Sequence, residues 1–194
     1  MIPDFFHSVY EGGPFSQCDC CRTDLTAPGT IYLVLKHLHH RADGPAEAIV
    51  EFALCVDCLM TQVPDPSEES REAIMAFRAE RRAELPPSDR IFQRPPADNV
   101  PEACELCGRA AGDCRTFSAR AVVETDDEGT PSMHRMVGTR FTGMSPAMMC
   151  DQCHGQMSER LSRQTRDDWD RFYEQIDDSP PALEWDDSPR PVFV

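Results

Sequence analysis

The chain has 194 residues, 40% of them hydrophobic, enough for one modest core or for two small ones that would each benefit from a staple such as a metal ion. Its formal charge of −15 disfavours nucleic acid as a partner, because that affinity comes from Lys and Arg neutralising phosphates. No run of about twenty apolar residues occurs, and the start from Met1 to His7 lacks the basic and apolar regions of an export signal, so the expectation is a cytoplasmic protein with no membrane contact.

In chain order, the first signal is Cys18-x-x-Cys21. Residues Thr30 to Leu38 are rich in strand formers, Ala42-Asp43-Gly44-Pro45 is turn chemistry, and Ala48 to Leu54 returns, which predicts a hairpin. Cys55-x-x-Cys58 follows. Asp65-Pro66-Ser67-Glu68 then offers a helix start with an N-cap, a first-turn proline and a capping-box glutamate, and Ile74 and Phe77 share the helix face. Pro86-Pro87, Pro95-Pro96 and Pro101 mark a linker.

The second half repeats the plan. Cys104-x-x-Cys107 is followed by a strand in which Phe117, Ala119, Ala121 and Val123 alternate with polar residues. A turn at Asp126 to Gly129 leads to a return strand from Met133 to Phe141, and Cys150-x-x-Cys153 comes next. Thr165-Arg166-Asp167-Asp168 opens a helix whose Trp169, Phe172, Tyr173 and Ile176 form one apolar stripe. Sliding this half back by 95 positions superposes Cys150 and Cys153 on Cys55 and Cys58, Thr165-Arg166 on Ser70-Arg71, and Phe172 on Phe77. The first cysteine pairs superpose at 86. Each helix stripe is expected to cover its own hairpin, with the two copies packed about a pseudo-twofold axis. The acidic, proline-rich end from Asp177 reads as a tail.

The division that follows is a first module over 1–85, a linker over 86–101, a second module over 102–177 and a tail over 178–194. Cysteines in C-x-x-C pairs, without an export signal, point to metal rather than disulfides. Zinc wants four soft ligands in a tetrahedron, and two C-x-x-C turns supply them. The expected ligands are Cys18, Cys21, Cys55 and Cys58 for one Zn2+, and Cys104, Cys107, Cys150 and Cys153 for a second. Each closed site adds about −2, which takes the folded protein to roughly −19.

Cys20 and Cys114 have no counterpart in the other copy and are expected to stay outside the ligand sets, although Cys20 offers the first knuckle an alternative thiol. His37 and His39 share a strand face and His40 takes the other, as at a partly solvated strand end. His134 and His154 read as surface or satisfied polar groups. Four cysteines leave no open position for water, and G-x-S-x-G, H-E-x-x-H, Walker and dinucleotide patterns are all missing, so the chain is not expected to be an enzyme.

The order of knuckle, hairpin, Cys55-Val56-Asp57-Cys58 and helix resembles the treble-clef group of zinc modules. Within that group it resembles the N-terminal zinc domains of bacterial protein-arginine-kinase activators and of the Clp-protease unfoldase, over about 50 residues per copy. The resemblance implies an α+β fold of two tandem treble-clef-like modules, and an adaptor or regulatory role with a protein partner or a second copy of the chain. The alternatives are a nucleic-acid or transcription-related ribbon protein, for which Arg115, Arg120, Arg135 and Arg140 would form the basic stripe, and a redox or metal sensor acting through Cys20 and Cys114.

Overall fold

The computed structural model describes residues 2–40, 46–85, 100–133 and 146–176. The turn at Ala42 to Pro45, most of the linker, residues 134–141 of the expected return strand and the tail lie outside these. Within them the chain is a mixed α and β structure built on one five-stranded sheet.

The first copy contributes β1 (Ile31–His39) and β2 (Glu47–Cys55), then α1 (Val56–Thr61) and α2 (Glu68–Glu84). The second contributes β3 (Thr116–Thr125), β4 (Pro131–Met133), β5 (Ala147–Cys150), α3 (Asp151–Arg160) and α4 (Arg163–Ile176). Of the expected return strand from Met133 to Phe141 only Met133, at the end of β4, is described; β4 and β5 both pair with β3.

The two hairpins join through an antiparallel ladder between β1 and β3, giving the order β2-β1-β3-β4 with β5 also on β3. Tyr32 faces Cys55, and Phe117 faces Cys150. Leu35, three residues after Tyr32, is therefore equivalent to Arg120, three after Phe117. These two residues face each other across the ladder, so a pseudo-twofold axis passes between them. β1 is buried from Tyr32 to Leu38, which requires that both sheet faces be covered and explains its nearly continuous apolar sequence.

One face carries Lys36 and Glu51, which form an ion pair at 2.9 Å with side chains only 3% and 1% exposed. The N-terminal segment covers them. Glu51 accepts from the Ser8 hydroxyl at 2.8 Å and the Val9 N–H at 2.7 Å, while Lys36 donates to the His7 carbonyl. A buried pair tolerates desolvation only when further hydrogen bonds satisfy both partners, as they do here.

The helices lie on the other face, and they cross over. Trp169 of α4 donates its indole N–H to Pro64 O at 3.0 Å, and Tyr173 meets Phe52 edge-on at 6.0 Å. In return, α2 reaches the second copy: Arg160 pairs with Glu80 at 2.7 Å and stacks over Phe77, and Arg78 lies 3.9 Å from Glu105. The apolar stripe of α4 therefore covers the first copy's hairpin rather than its own. Spacing along one helix defines an apolar face but carries no information about which sheet that face meets.

The helix starts also differ from expectation. Ser67, not Asp65, caps α2, and α4 opens at Arg163 rather than Thr165. Ser67 and Ser162 each lie nine residues beyond the last cysteine of their copy. Each hydroxyl accepts from the N–H three residues on, at Ser70 and Thr165. The exchange is reciprocal: Ser67 N–H donates to Thr165 Oγ1 at 3.0 Å and Ser162 N–H to Ser70 Oγ at 2.9 Å. Two helix N-termini thus meet at the axis, their orphan amides satisfied by four hydroxyls. In addition, helices α1 and α3 start directly at the second cysteine pairs.

Trp169→Ala should destabilise the protein by about 3–5 kcal/mol and raise amide exchange around α1 of the first copy; a rise confined to β3 and β5 would contradict the crossed packing. Lys36→Met should cost about 3–5 kcal/mol in urea unfolding because it strands the buried Glu51 charge, and adding Glu51→Leu should recover most of the loss.

Candidate metal centres

Each knuckle is a tight turn held by the same backbone bonds. Cys18 N–H donates to Thr23 O and Arg22 N–H to Cys18 O in the first, and Cys104 N–H to Arg109 O and Gly108 N–H to Cys104 O in the second. The residue after each second cysteine takes a left-handed conformation, with φ +61° at Arg22 and +71° at Gly108. Glycine adopts this freely, whereas arginine does so at a cost. A further bond ties each knuckle to the returning strand: Asp19 N–H to Ala53 O, and Glu105 N–H to Met148 O, both 2.9 Å. Asp19 also accepts the Ala53 N–H at 2.6 Å, while Glu105 receives Arg120 at 2.9 Å. These two acids were not singled out by the sequence reading, since an acid inside a C-x-x-C turn is commonplace.

The remaining two cysteines of each group come from the strand end and the following helix. Cys55 and Cys150 are the N-caps of α1 and α3, their sulfurs accepting the N–H of Cys58 and Cys153, each at 3.5 Å. Thiolate character is favoured at a positive helix end.

The fold brings all eight expected ligands together in two groups of four, Cys18, Cys21, Cys55 and Cys58, and Cys104, Cys107, Cys150 and Cys153, with the sulfurs of each group within 4.8 Å of one another. The Cys21–Cys55 and Cys107–Cys150 sulfur separations are 3.7 and 3.6 Å. A tetrahedron with zinc–sulfur bonds of about 2.3 Å has edges of about 3.8 Å, whereas a disulfide needs about 2.05 Å. The donor set and its spacing fit a tetrahedral, thiophilic ion such as zinc. Because Tyr32 and Phe117 stand near opposite ends of the β1–β3 ladder, the two cysteine groups lie about 20 Å apart along the strands, so any ions they hold would be separate.

The thiols titrate as a crowded set. Hydrogen bonds from Cys104 and Cys153 pull Cys150 down to about 4, and the Thr23 hydroxyl, at 3.0 Å, holds Cys21 down to about 6. Burial pushes Cys58 up, and hydrogen bonding with Cys104 and Cys150 pushes Cys153 up. Four thiolates at this spacing repel one another unless a cation sits among them.

Cys114 stands outside both groups, buried, with its thiol donating to Ala110 O at 3.3 Å. Cys20 is exposed at the first knuckle. His37 is not at a solvated strand end but 2% exposed, its Nδ1 3.0 Å from Ser118 Oγ. His154, next to Cys153, is also buried, its ring 6.5 Å from His37. Burial, with His37 second, pushes its imidazole down to about 3 and keeps it neutral. His134 lies outside the described residues. Arg120, one member of the candidate basic stripe, is committed to Glu105, and Arg135 and Arg140 lie outside the described residues.

Comparison with protein-family models, with curated proteins and with solved structures finds no match in any of the three. The site therefore defines the protein's class by itself: a mixed helix and sheet protein with two four-cysteine groups able to hold metal ions. No described helix is long and apolar enough to cross a membrane.

Arg22→Gly, which copies Gly108 into the first knuckle, should raise stability by up to about 1 kcal/mol by relieving the left-handed backbone. Thermal unfolding checks this, and a fall in stability would show that the arginine side chain outweighs the strain.

Proposed function

We propose that this is a non-enzymatic zinc protein in which two structural four-cysteine sites hold a pair of treble-clef-like modules rigid for contact with another protein. The observation that carries the reading is the matched geometry of the two cysteine tetrads, each half from a knuckle and half from a helix N-terminus, with sulfur separations of 3.7 and 3.6 Å. The order of knuckle, hairpin and helix-borne cysteine pair is what a treble clef requires. Four thiolates close the coordination sphere, which suits a structural ion and leaves no position for a metal-bound water nucleophile.

A protein partner is favoured by charge. With two zinc ions bound the chain stands near −19, which repels nucleic acid, and Arg120 is occupied by Glu105. Among the described residues, Val9 and Tyr10 are 66% and 57% exposed at the turn between Ser8 and Gly13, an apolar tip of the kind protein interfaces use. Cytoplasmic residence belongs to this reading, because free thiolates persist where the surroundings are reducing.

The test is zinc content by elemental mass analysis on protein purified without added metal or a histidine tag. Two zinc ions per chain are expected, and Cys55→Ser should lower the value to one and destabilise the first copy. Protein with little zinc and oxidised thiols would overturn the reading. Steeply salt-dependent binding to duplex DNA would instead favour the nucleic-acid alternative.

A further inference from the structure

The second copy has Ala121 and Pro146 where the first has the buried Lys36–Glu51 pair. The fold therefore accepts uncharged side chains at these places, and well-packed apolar residues often stabilise a core as much as a buried ion pair does. What the pair adds in the first copy is a fixed backbone. Glu51 takes the Ser8 hydroxyl at 2.8 Å and the Val9 N–H at 2.7 Å, and Lys36 donates to the His7 carbonyl. Beyond that anchor the chain closes on itself. Ser8 N–H donates to Gly13 O at 2.7 Å, Gly12 N–H to Ser8 O at 3.0 Å and Glu11 N–H to Ser8 Oγ at 3.1 Å, with Gly12 in the left-handed region at φ +67°.

The turn so fixed holds residues 9–12 in solvent. Val9 and Tyr10 are the one consecutive pair of exposed large apolar side chains among the described residues, Met60 and Met75 being separate along the chain. Ordering a protruding aromatic before contact removes part of the entropy that association would otherwise cost, and tyrosine is among the residues that dominate interface energetics. The charge around the turn has one sign. Residues 1–21 include Asp4, Glu11 and Asp19 and no Lys or Arg, the Asp4 side chain is fully exposed, and the whole chain carries −15.

The geometry points to the Val9–Tyr10 turn as a preorganised docking tip for a protein that presents an apolar pocket rimmed by Lys and Arg, with the buried Lys36–Glu51 pair holding the tip in its binding shape. A convex apolar tip requires a concave apolar partner, and the acids beside it attract a basic rim. In a twofold pair of chains the acidic segments would face each other, which disfavours a second copy as the occupant. This inference rests on the protein-contact reading proposed above and names the contact and the chemistry of its partner.

The test places photoreactive benzoylphenylalanine at Tyr10 in the full zinc-loaded chain and irradiates cells that make the protein. The same group at Met75, a comparably exposed apolar side chain on α2, is the reference. Position 10 should join one protein more strongly than position 75 does, through a peptide that mass spectrometry maps to apolar residues beside Lys or Arg. With that protein purified, Val9→Ser should weaken binding at least about tenfold, and Glu11→Gln should flatten its salt dependence. The double variant Lys36→Met with Glu51→Leu, shown to be folded by unchanged zinc content and urea unfolding, should weaken binding severalfold.

Joining no stronger at position 10 than at position 75, an acidic joined peptide, or unchanged affinity in Val9→Ser or in the folded double variant overturns the inference. Strong joining at position 75 alone would keep the protein-contact reading while overturning the tip. Chain purified without zinc would sink the metal reading, a result separate from either.

Discussion

The antiparallel ladder between β1 and β3 runs from the Ile31–Glu124 pair to the His39–Thr116 pair. It converts two hairpins, each too small to shield its own core, into one sheet with two central strands. Because the ladder is symmetric about the Leu35–Arg120 rung, it places the knuckles at opposite ends and directs each copy's helices across the axis. The four-hydroxyl junction of Ser67, Ser70, Ser162 and Thr165 sits where α2 and α4 start, so the sheet axis and the helix caps express the same symmetry.

Crossed helices make the copies interdependent. The first copy is met by a helix of the second through Trp169 at Pro64 and Tyr173 at Phe52, and α2 meets the second copy through Phe77, Arg78 and Glu80. The arrangement within one chain matches that of a dimer with exchanged helices.

Departures from the symmetry show where the copies have diverged. His37, Ser118 and His154 occupy one place under the helices; the equivalent trio in the other copy is Val122, Leu33 and Leu59, all buried and apolar. Lys36 and Glu51 likewise have Ala121 and Pro146 at their equivalent positions. The N-terminal segment beside the first copy supplies the hydrogen bonds that make the charges of this buried pair tolerable. Cys20 against Leu106 is a third departure, at the metal site itself.

All eight members of the two cysteine groups could be read from the chain, because C-x-x-C spacing is local and the repeat assigns each pair to its partner. The hairpins over β1–β2 and along β3 were legible for the same reason: alternation and turn residues act over a few positions. The burial of His37 and His154 was not, since exposure depends on what another element lays over a strand. The caps at Ser67 and Ser162 were missed because Asp65-Pro66 presents an equally good local start. It was the hydroxyls of the opposite copy, nearly a hundred residues away, that decided between them.

By itself the sequence determined the two cysteine quartets, the duplicated plan and the acidic balance. Those properties follow from residue types at short spacing and from summed charge. Only the tertiary structure decided that the hairpins share one sheet, that each long helix covers the other copy, and that His37 and His154 are buried under the helices. Each of those depends on which surface meets which, and the pairing of surfaces is settled by simultaneous burial of every apolar face rather than by any one segment.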